Sequence, residues 1–176
     1  MNLIIRKLRI KDIDSVCAME KEAFSMPWHR ESFVDMTNNR DALYLVAELS
    51  DDGNDQMTDP DDGIIKIYDF ASDYDGDVTV VGCAGLISVV GEGNICNIVI
   101  KKEFRRLGIA RRLVQSMIDT GKEQFGIKDF TLEVRQSNEA AKRLYEELGF
   151  ECEGIRPKFY VKPVEDACIY WLRESK

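Results

Sequence analysis

At 176 residues, 44% hydrophobic and 32% charged, the chain can close one core and hardly two, and with twelve glycines and four prolines its composition is neither disordered nor fibrous. The longest nearly apolar stretch, Val78 to Gly91, is interrupted by Thr79 and Ser88 and is shorter than the roughly 20 residues of a membrane helix; the N-terminus offers three apolar residues before four basic ones, where a secretory signal needs a run of about 7–15. The net charge of −8 is local, because residues 50–77 hold ten aspartates and one lysine, a net −9, which leaves +1 on the other 148. These features predict a single cytoplasmic domain over residues 1–176, with neither membrane nor nucleic acid as a direct partner.

In chain order, Leu3 to Leu8 reads as a strand. From Asp12 onward Ile13, Val16, Cys17 and Phe24 fall near helical spacing, Pro27 breaks the pattern, and a second helix follows from about Trp28 to Thr37. Leu43 to Leu49 is the next strand. Residues 50–77 read as an acidic loop insertion: the D-G and D-P pairs are turn signals, and only the short IIKIY run has any pattern. Aspartates are hard oxygen ligands, but the order of an EF-hand calcium loop is absent, so no metal is expected. A long strand from about Val78 to Val90 turns through Gly91-Glu92-Gly93 into a strand over Asn94 to Ile100. Ile109, Leu113, Val114, Met117 and Ile118 share one face of a helix that fades near Gly126. Asp129 to Val134 is a strand, Glu139 to Leu148 a helix ended by Gly149, and Phe150 to Gly154 with Ala167 to Leu172 a strand pair. The alternation predicts an α/β (α+β) layered fold. The five cysteines are odd in number, scattered and without a C-x-x-C pair, beside a single histidine, His29; they read as reduced apolar side chains rather than a disulfide or zinc framework.

Two segments carry chemistry. In the first, a strand leads through Arg105 to Ala110 into a helix. A glycine at 108 lets the backbone approach a ligand, and the amide N–H groups of the helix start form an anion cradle suited to a pyrophosphate. A turn flanked by surface arginines is the plain alternative. The segment matches neither a nucleoside-triphosphate loop nor a dinucleotide fingerprint. The second segment is LEVRQSNEAAKRLYEELGFE, Leu132 to Glu151. Strand alternation puts Leu132 and Val134 on one face and Glu133 and Arg135 on the other. Glu133 is thereby a candidate base, or an outward carboxylate paired with Arg135. Asn138 caps the following helix or bonds a ligand, and Tyr145 lies about two turns on, with a core role as its alternative.

Taken together, order and spacing resemble the Gcn5-related N-acetyltransferase (GNAT) superfamily over nearly the whole chain outside residues 50–77. The R/Q-x-x-G-x-G/A loop stands as Arg105-Arg106-Leu107-Gly108-Ile109-Ala110 after the strand Asn97-Ile98-Val99-Ile100, and N-x-x-A-x-x-L-Y-x-x-x-G-F as Asn138, Ala141, Leu144, Tyr145, Gly149 and Phe150. Pro27-Trp28, Leu132 to Asn138, Phe159-Tyr160 and Glu165-Asp166-Ala167 resemble the RimI type within it, with His29 and Phe159 as departures. The resemblance implies the GNAT fold, a mixed sheet of about six to seven strands flanked by four helices. It implies acetyl-CoA as cosubstrate, its pantetheine arm on backbone near Ile98, Val99 and Ile100, its pyrophosphate on Arg105, Arg106, Leu107, Gly108, Ile109 and Ala110, and Asn138 nearby. It implies Glu133 as general base, a backbone N–H near Val99 as oxyanion donor, and Tyr145 as the acid for the departing thiolate. The acceptor implied is a protein N-terminal amine, in the RimI type the alanine of a basic small-subunit ribosomal protein. Transfer to lysine or to other N-termini, and a non-catalytic acyl-CoA-binding module, are the alternatives.

Overall fold

The computed structural model describes residues 1–50, 63–70 and 79–174. In chain order they form β1 (Asn2–Lys7), α1 (Ile13–Ala23), α2 (Arg30–Asn38), β2 (Ala42–Ser50), β3 (Ile64–Asp69), β4 (Thr79–Val89), β5 (Glu92–Ile100), α3 (Ile109–Phe125), β6 (Asp129–Arg135), α4 (Glu139–Glu147), β7 (Glu151–Val161) and β8 (Val164–Leu172). One eight-stranded sheet runs in the order β3-β1-β2-β4-β5-β6-β8-β7. All its pairings are antiparallel except β5 with β6, which is parallel. No helix among the described residues is long and apolar enough to cross a membrane.

Helices cover both faces of the sheet, as an apolar sheet core requires. On one face α3 buries Ile109, Leu113, Val114, Met117 and Ile118, the stripe expected from their spacing, against Leu45, Leu86 and Phe130, and α4 adds Tyr145. On the other, Ile13, Val16 and Met19 of α1 and Phe33 and Met36 of α2 pack on Tyr44, Val46, Cys83 and Val99. Each such aliphatic side chain contributes about 1.5–3 kcal/mol by leaving water.

Three sequence expectations change. The segment taken as a loop insertion contains β3, which pairs with β1 at the sheet edge. Tyr68 bonds Ser116 of α3 at 3.3 Å, and the Tyr68 ring lies 5.2 Å from the Arg112 guanidinium. The aspartates around β3, and with them the calcium-loop question, lie outside the described residues except for Asp69. The β4–β5 hairpin turns at Val90 and Gly91, both at positive φ (51° and 83°), so Gly93 is within β5 and not part of the turn. The final strand pair is longer than Phe150 to Gly154 and Ala167 to Leu172, because β7 continues to Val161 and β8 begins at Val164.

Candidate active site

The parallel seam between β5 and β6 is paired only from Glu92 with Asp129 to Asn94 with Thr131. Beyond it the strands part, β5 staying on β4 through Ile100 and β6 on β8 through Arg135. The break begins at a bulge, where Leu86 faces Ile95 and Gly85 faces Asn97, leaving Cys96 as the extra residue. The bulge reverses the alternation, so Ile95 packs with α3 while Asn97 bonds Glu20 of α1. The Lys101 N–H goes to the Val81 carbonyl at 2.9 Å, and antiparallel alternation turns the polar groups of Val99 the same way, toward β4. The backbone groups of Ile98 and Ile100 therefore face the gap. Ile100 offers its carbonyl there to Arg105 Nε at 3.1 Å. The Val99 N–H turns into the sheet, and the backbone donors near it that face the gap are those of Ile98 and Ile100.

The strand leads into the loop before α3. Gly108 sits at φ 76°, a left-handed position that a side chain strains, and Arg106 is also at positive φ, 67°. No side chain caps α3 and its first turn holds no acid, so the first amides are free of intrahelical partners. Arg105, Arg106, Leu107 and Gly108 are exposed, Ala110 is half-buried, and Ile109 anchors the turn in the core. Arg111 pairs with Glu147 of α4. An unpaired strand edge leading to an uncapped, cationic helix start fits the pantetheine and diphosphate of a coenzyme A thioester in both shape and charge.

Glu133 projects from β6 beside this gap. Its Oε1 pairs with Arg156 Nη1 of β7 at 3.1 Å, with 22% of the Glu133 and 52% of the Arg156 side chain exposed. The pairing with Arg135 considered from sequence does not occur. Arg135 instead holds Glu165 at 3.0 Å, donates to the carbonyls of Lys162 and Pro163, and stacks 4.2 Å from the Tyr160 ring centre. Glu165 also accepts from the Ser137 N–H at 2.6 Å, and Asp166 from the Lys158 N–H at 2.8 Å. The Arg-x-Ser and Glu-Asp motif residues therefore fasten the β7–β8 hairpin over β6. On the other side Ser25, between α1 and α2, donates to the Lys162 carbonyl. Tyr160 donates to the Glu133 carbonyl at 3.3 Å.

Tyr145 is buried beside Phe150 and Tyr170, with ring centres 5.9 and 6.1 Å away. Burial, and then Tyr160, raise its phenol above the ordinary range, so it stays protonated through neutral pH. Burial raises the Tyr160 phenol too, with Arg135 lowering it and Glu133 raising it by smaller amounts. Asn138 caps α4, its Oδ1 accepting from the Ala141 N–H at 3.2 Å. Arg156 and Tyr160 are the site residues that sequence reasoning did not single out; Tyr160 appeared only as part of a motif. All five cysteines are free thiols.

A family model described as "Acetyltransferase (GNAT) family" matches residues 13–150. The chain is 31% identical over 170 residues to the [Ribosomal protein bS18]-alanine N-acetyltransferase of Escherichia coli (strain K12), covering 96% of this chain and 95% of that one. It is 32% identical over 167 residues to the enzyme of the same name from Salmonella typhimurium, covering 94% and 93%. The crystal structure of the ribosomal-protein-S18-alanine N-acetyltransferase from Escherichia coli superposes with a TM-score of 0.73 at 26% identity, covering all of this chain and 96% of the other.

Proposed function

Since the chain belongs to the GNAT acetyltransferase family, we propose that it is a protein N-α-acetyltransferase, moving acetyl from acetyl-CoA to the N-terminal alanine of a basic small-subunit ribosomal protein; two relatives bear the name [ribosomal protein bS18]-alanine N-acetyltransferase. The observation that carries this reading is the Glu133 carboxylate standing where β5 and β6 part, next to the open backbone of Ile98 and Ile100.

The acceptor must attack as a neutral amine. An α-amine, with an ordinary pKa of about 7.7–8.0, sheds its proton far more readily than lysine at about 10.4. Glu133 takes that proton, directly or through water. The N–H groups at the β5 edge receive the developing oxyanion. As the new C–N bond matures and the C–S bond breaks, the thiolate takes a proton from Tyr145, which burial keeps protonated at neutral pH, and the phenolate takes back, directly or through water, the proton that the amide nitrogen sheds. Arg105, Arg106 and the amides of Gly108, Ile109 and Ala110 hold the diphosphate. No enzyme nucleophile is needed.

The test is mass spectrometry after incubation with acetyl-CoA and a peptide that carries a free N-terminal alanine and an internal lysine. One acetyl group on the α-amine, and none when that amine is blocked, is the expected result. Acetylation of the lysine alone, or cofactor binding without thiol release on any peptide, overturns the reading.

A further inference from the structure

The Glu133–Arg156 ion pair raises a problem that its own geometry resolves. A carboxylate standing alone beside an acceptor amine stabilises the ammonium, which cannot attack. A base placed to remove the proton would then also trap the reactant in its dead form. In this chain the groups facing Glu133 are Arg156 and Tyr160 from β7 and Cys96 from β5. From β8 its register partner is the apolar Ile169. Tyr160 is neutral at working pH, its phenol raised chiefly by burial. Cys96 is exposed, and its thiol, raised rather than lowered, is neutral at working pH. Arg135, two residues along the same face of β6, is held by Glu165 at 3.0 Å, so Arg156 is the cation that contacts the carboxylate directly.

We infer that Arg156 is a positioning residue that neutralises Glu133 in the resting site, so that the acceptor amine binds beside a charge-balanced pair and reaches the cleft in its reactive, unprotonated form. The inference rests on Glu133 being the base, as proposed above. Three further observations favour a working rather than a scaffolding contact. Half of the Arg156 side chain is exposed, so it stabilises little by packing and can shift once Glu133 has taken the proton. It is the last residue of β7 in register with β8, opposite Ala167, before pairing lapses up to Tyr160, a stretch tied instead by the Lys158 N–H to Asp166. Its guanidinium lies 5.2 Å from the Phe159 ring centre, a second resting place for the cation when the carboxylate is engaged.

The experiment is a pH series of kcat and KM on a peptide with an N-terminal alanine, for wild type, Arg156→Gln, Arg156→Lys and Glu133→Gln. With the cation gone, an unbalanced Glu133 holds the ammonium. For Arg156→Gln at about pH 7, kcat is expected to fall roughly threefold to tenfold, the fraction of amine lost when its pKa rises by up to about one unit. KM for the peptide holds or falls, and kcat returns toward wild type by about pH 9. Arg156→Lys restores the wild-type profile. A loss of kcat that is equal at every pH, or a rise in peptide KM that lysine does not correct, makes Arg156 a structural residue and overturns the inference. Glu133→Gln separates the two ideas. If it retains wild-type kcat, the base assignment fails; if it is inactive while Arg156→Gln keeps the wild-type pH profile, only the present inference fails.

Discussion

Two arginine–carboxylate contacts in this chain have similar distances and opposite surroundings. Arg6 reaches Asp12 at 2.6 and 2.9 Å and also holds Glu48, with about 2% of its side chain exposed. Arg156 reaches Glu133 at 3.1 Å with about half of its side chain in water. The first pair crosses from β1 to the turn before α1 and to β2, and loses nearly all hydration; its formation is worth keeping only as a complete set. The second joins two strands beside a cleft and keeps its water. Burial, rather than the ion pair itself, decides which contact holds the fold and which is free to exchange partners during a reaction.

Substituting one carboxylate at each place should therefore fail in different assays, with the largest effects expected in this molecule. Asp12→Ala leaves the Arg6 guanidinium buried and short of a partner, and should lower unfolding free energy by about 3–5 kcal/mol, with kcat of the folded protein unchanged. Glu133→Gln should leave the melting temperature within a degree or two, order-of-magnitude for an exposed pair, and reduce kcat by about 10²–10⁴; Tyr145→Phe should do the same through the thiolate. Equal loss of stability at both places would remove the distinction. Acid adds a second readout. The Asp12 pKa is the net of burial, which raises it, and the Arg6 bonds, which prevail and bring it below the ordinary value. Its contribution is complete above the unfolded pKa of about 3.9 and is lost as pH falls through the lower folded value. Denaturant titration below about pH 4 should show this slope in wild type and a flatter one in Asp12→Ala.

Next in size is the cofactor loop. Gly108→Val puts a β-branched residue at φ 76°, which costs about 1–2 kcal/mol or more of backbone strain, and sets a side chain where only Arg112 Nη1, 3.6 Å away, otherwise lies. Acetyl-CoA affinity by calorimetry should drop by more than tenfold. Unchanged affinity in a folded protein would remove Gly108 from the cradle.

Much of this was legible in the residues, and the exceptions have a common cause. The helices and β6 have one face in the core, and burial imposes a period that a sequence displays, most clearly in α3; β1, β2 and β4 are buried on both faces and show as continuous apolar runs. The IIKIY run has the right pattern for a strand, but its acidic flanks made it read as loop, and only pairing with β1 identifies it as β3. The outer half of β7 is nearly all exposed, so no alternation marks it. The site divides in the same way. Gly108, Glu133 and Tyr145 were singled out as candidates because local spacing carries them. Arg156 was not, because its partner lies 23 positions away across β8, and nothing local distinguishes it from Arg135, the nearer and wrong choice.

The smallest effect concerns a third charged place that belongs to neither class. Glu20 is 1% exposed, yet no cation among the described residues bonds it. Its Oε1 accepts from Asn97 Nδ2, and its Oε2 has only the long contact, 3.5 Å, from the Trp28 N–H. Asn97 Nδ2 also reaches the Tyr44 hydroxyl at 3.1 Å, while Asn97 Oδ1 is buried without a partner. Burial raises the Glu20 pKa above the ordinary carboxylate value, and the Asn97 bond only partly offsets it. A raised folded pKa means that the folded state prefers the protonated acid. That preference is complete below the unfolded pKa of about 4.3 and is lost as pH rises through the folded value, so the ionised carboxylate is a cost at neutral pH. Glu20→Gln keeps the shape and one acceptor, removes the charge, and brings a donor into a cluster with an orphaned acceptor. It should raise unfolding free energy by about 1 kcal/mol at pH 7–8 and change it little near pH 4, measured by urea titration at both pH values. Destabilisation at both would mean that the contact to Trp28 needs the anion, and Glu20 would then join Asp12 as a carboxylate the fold requires charged.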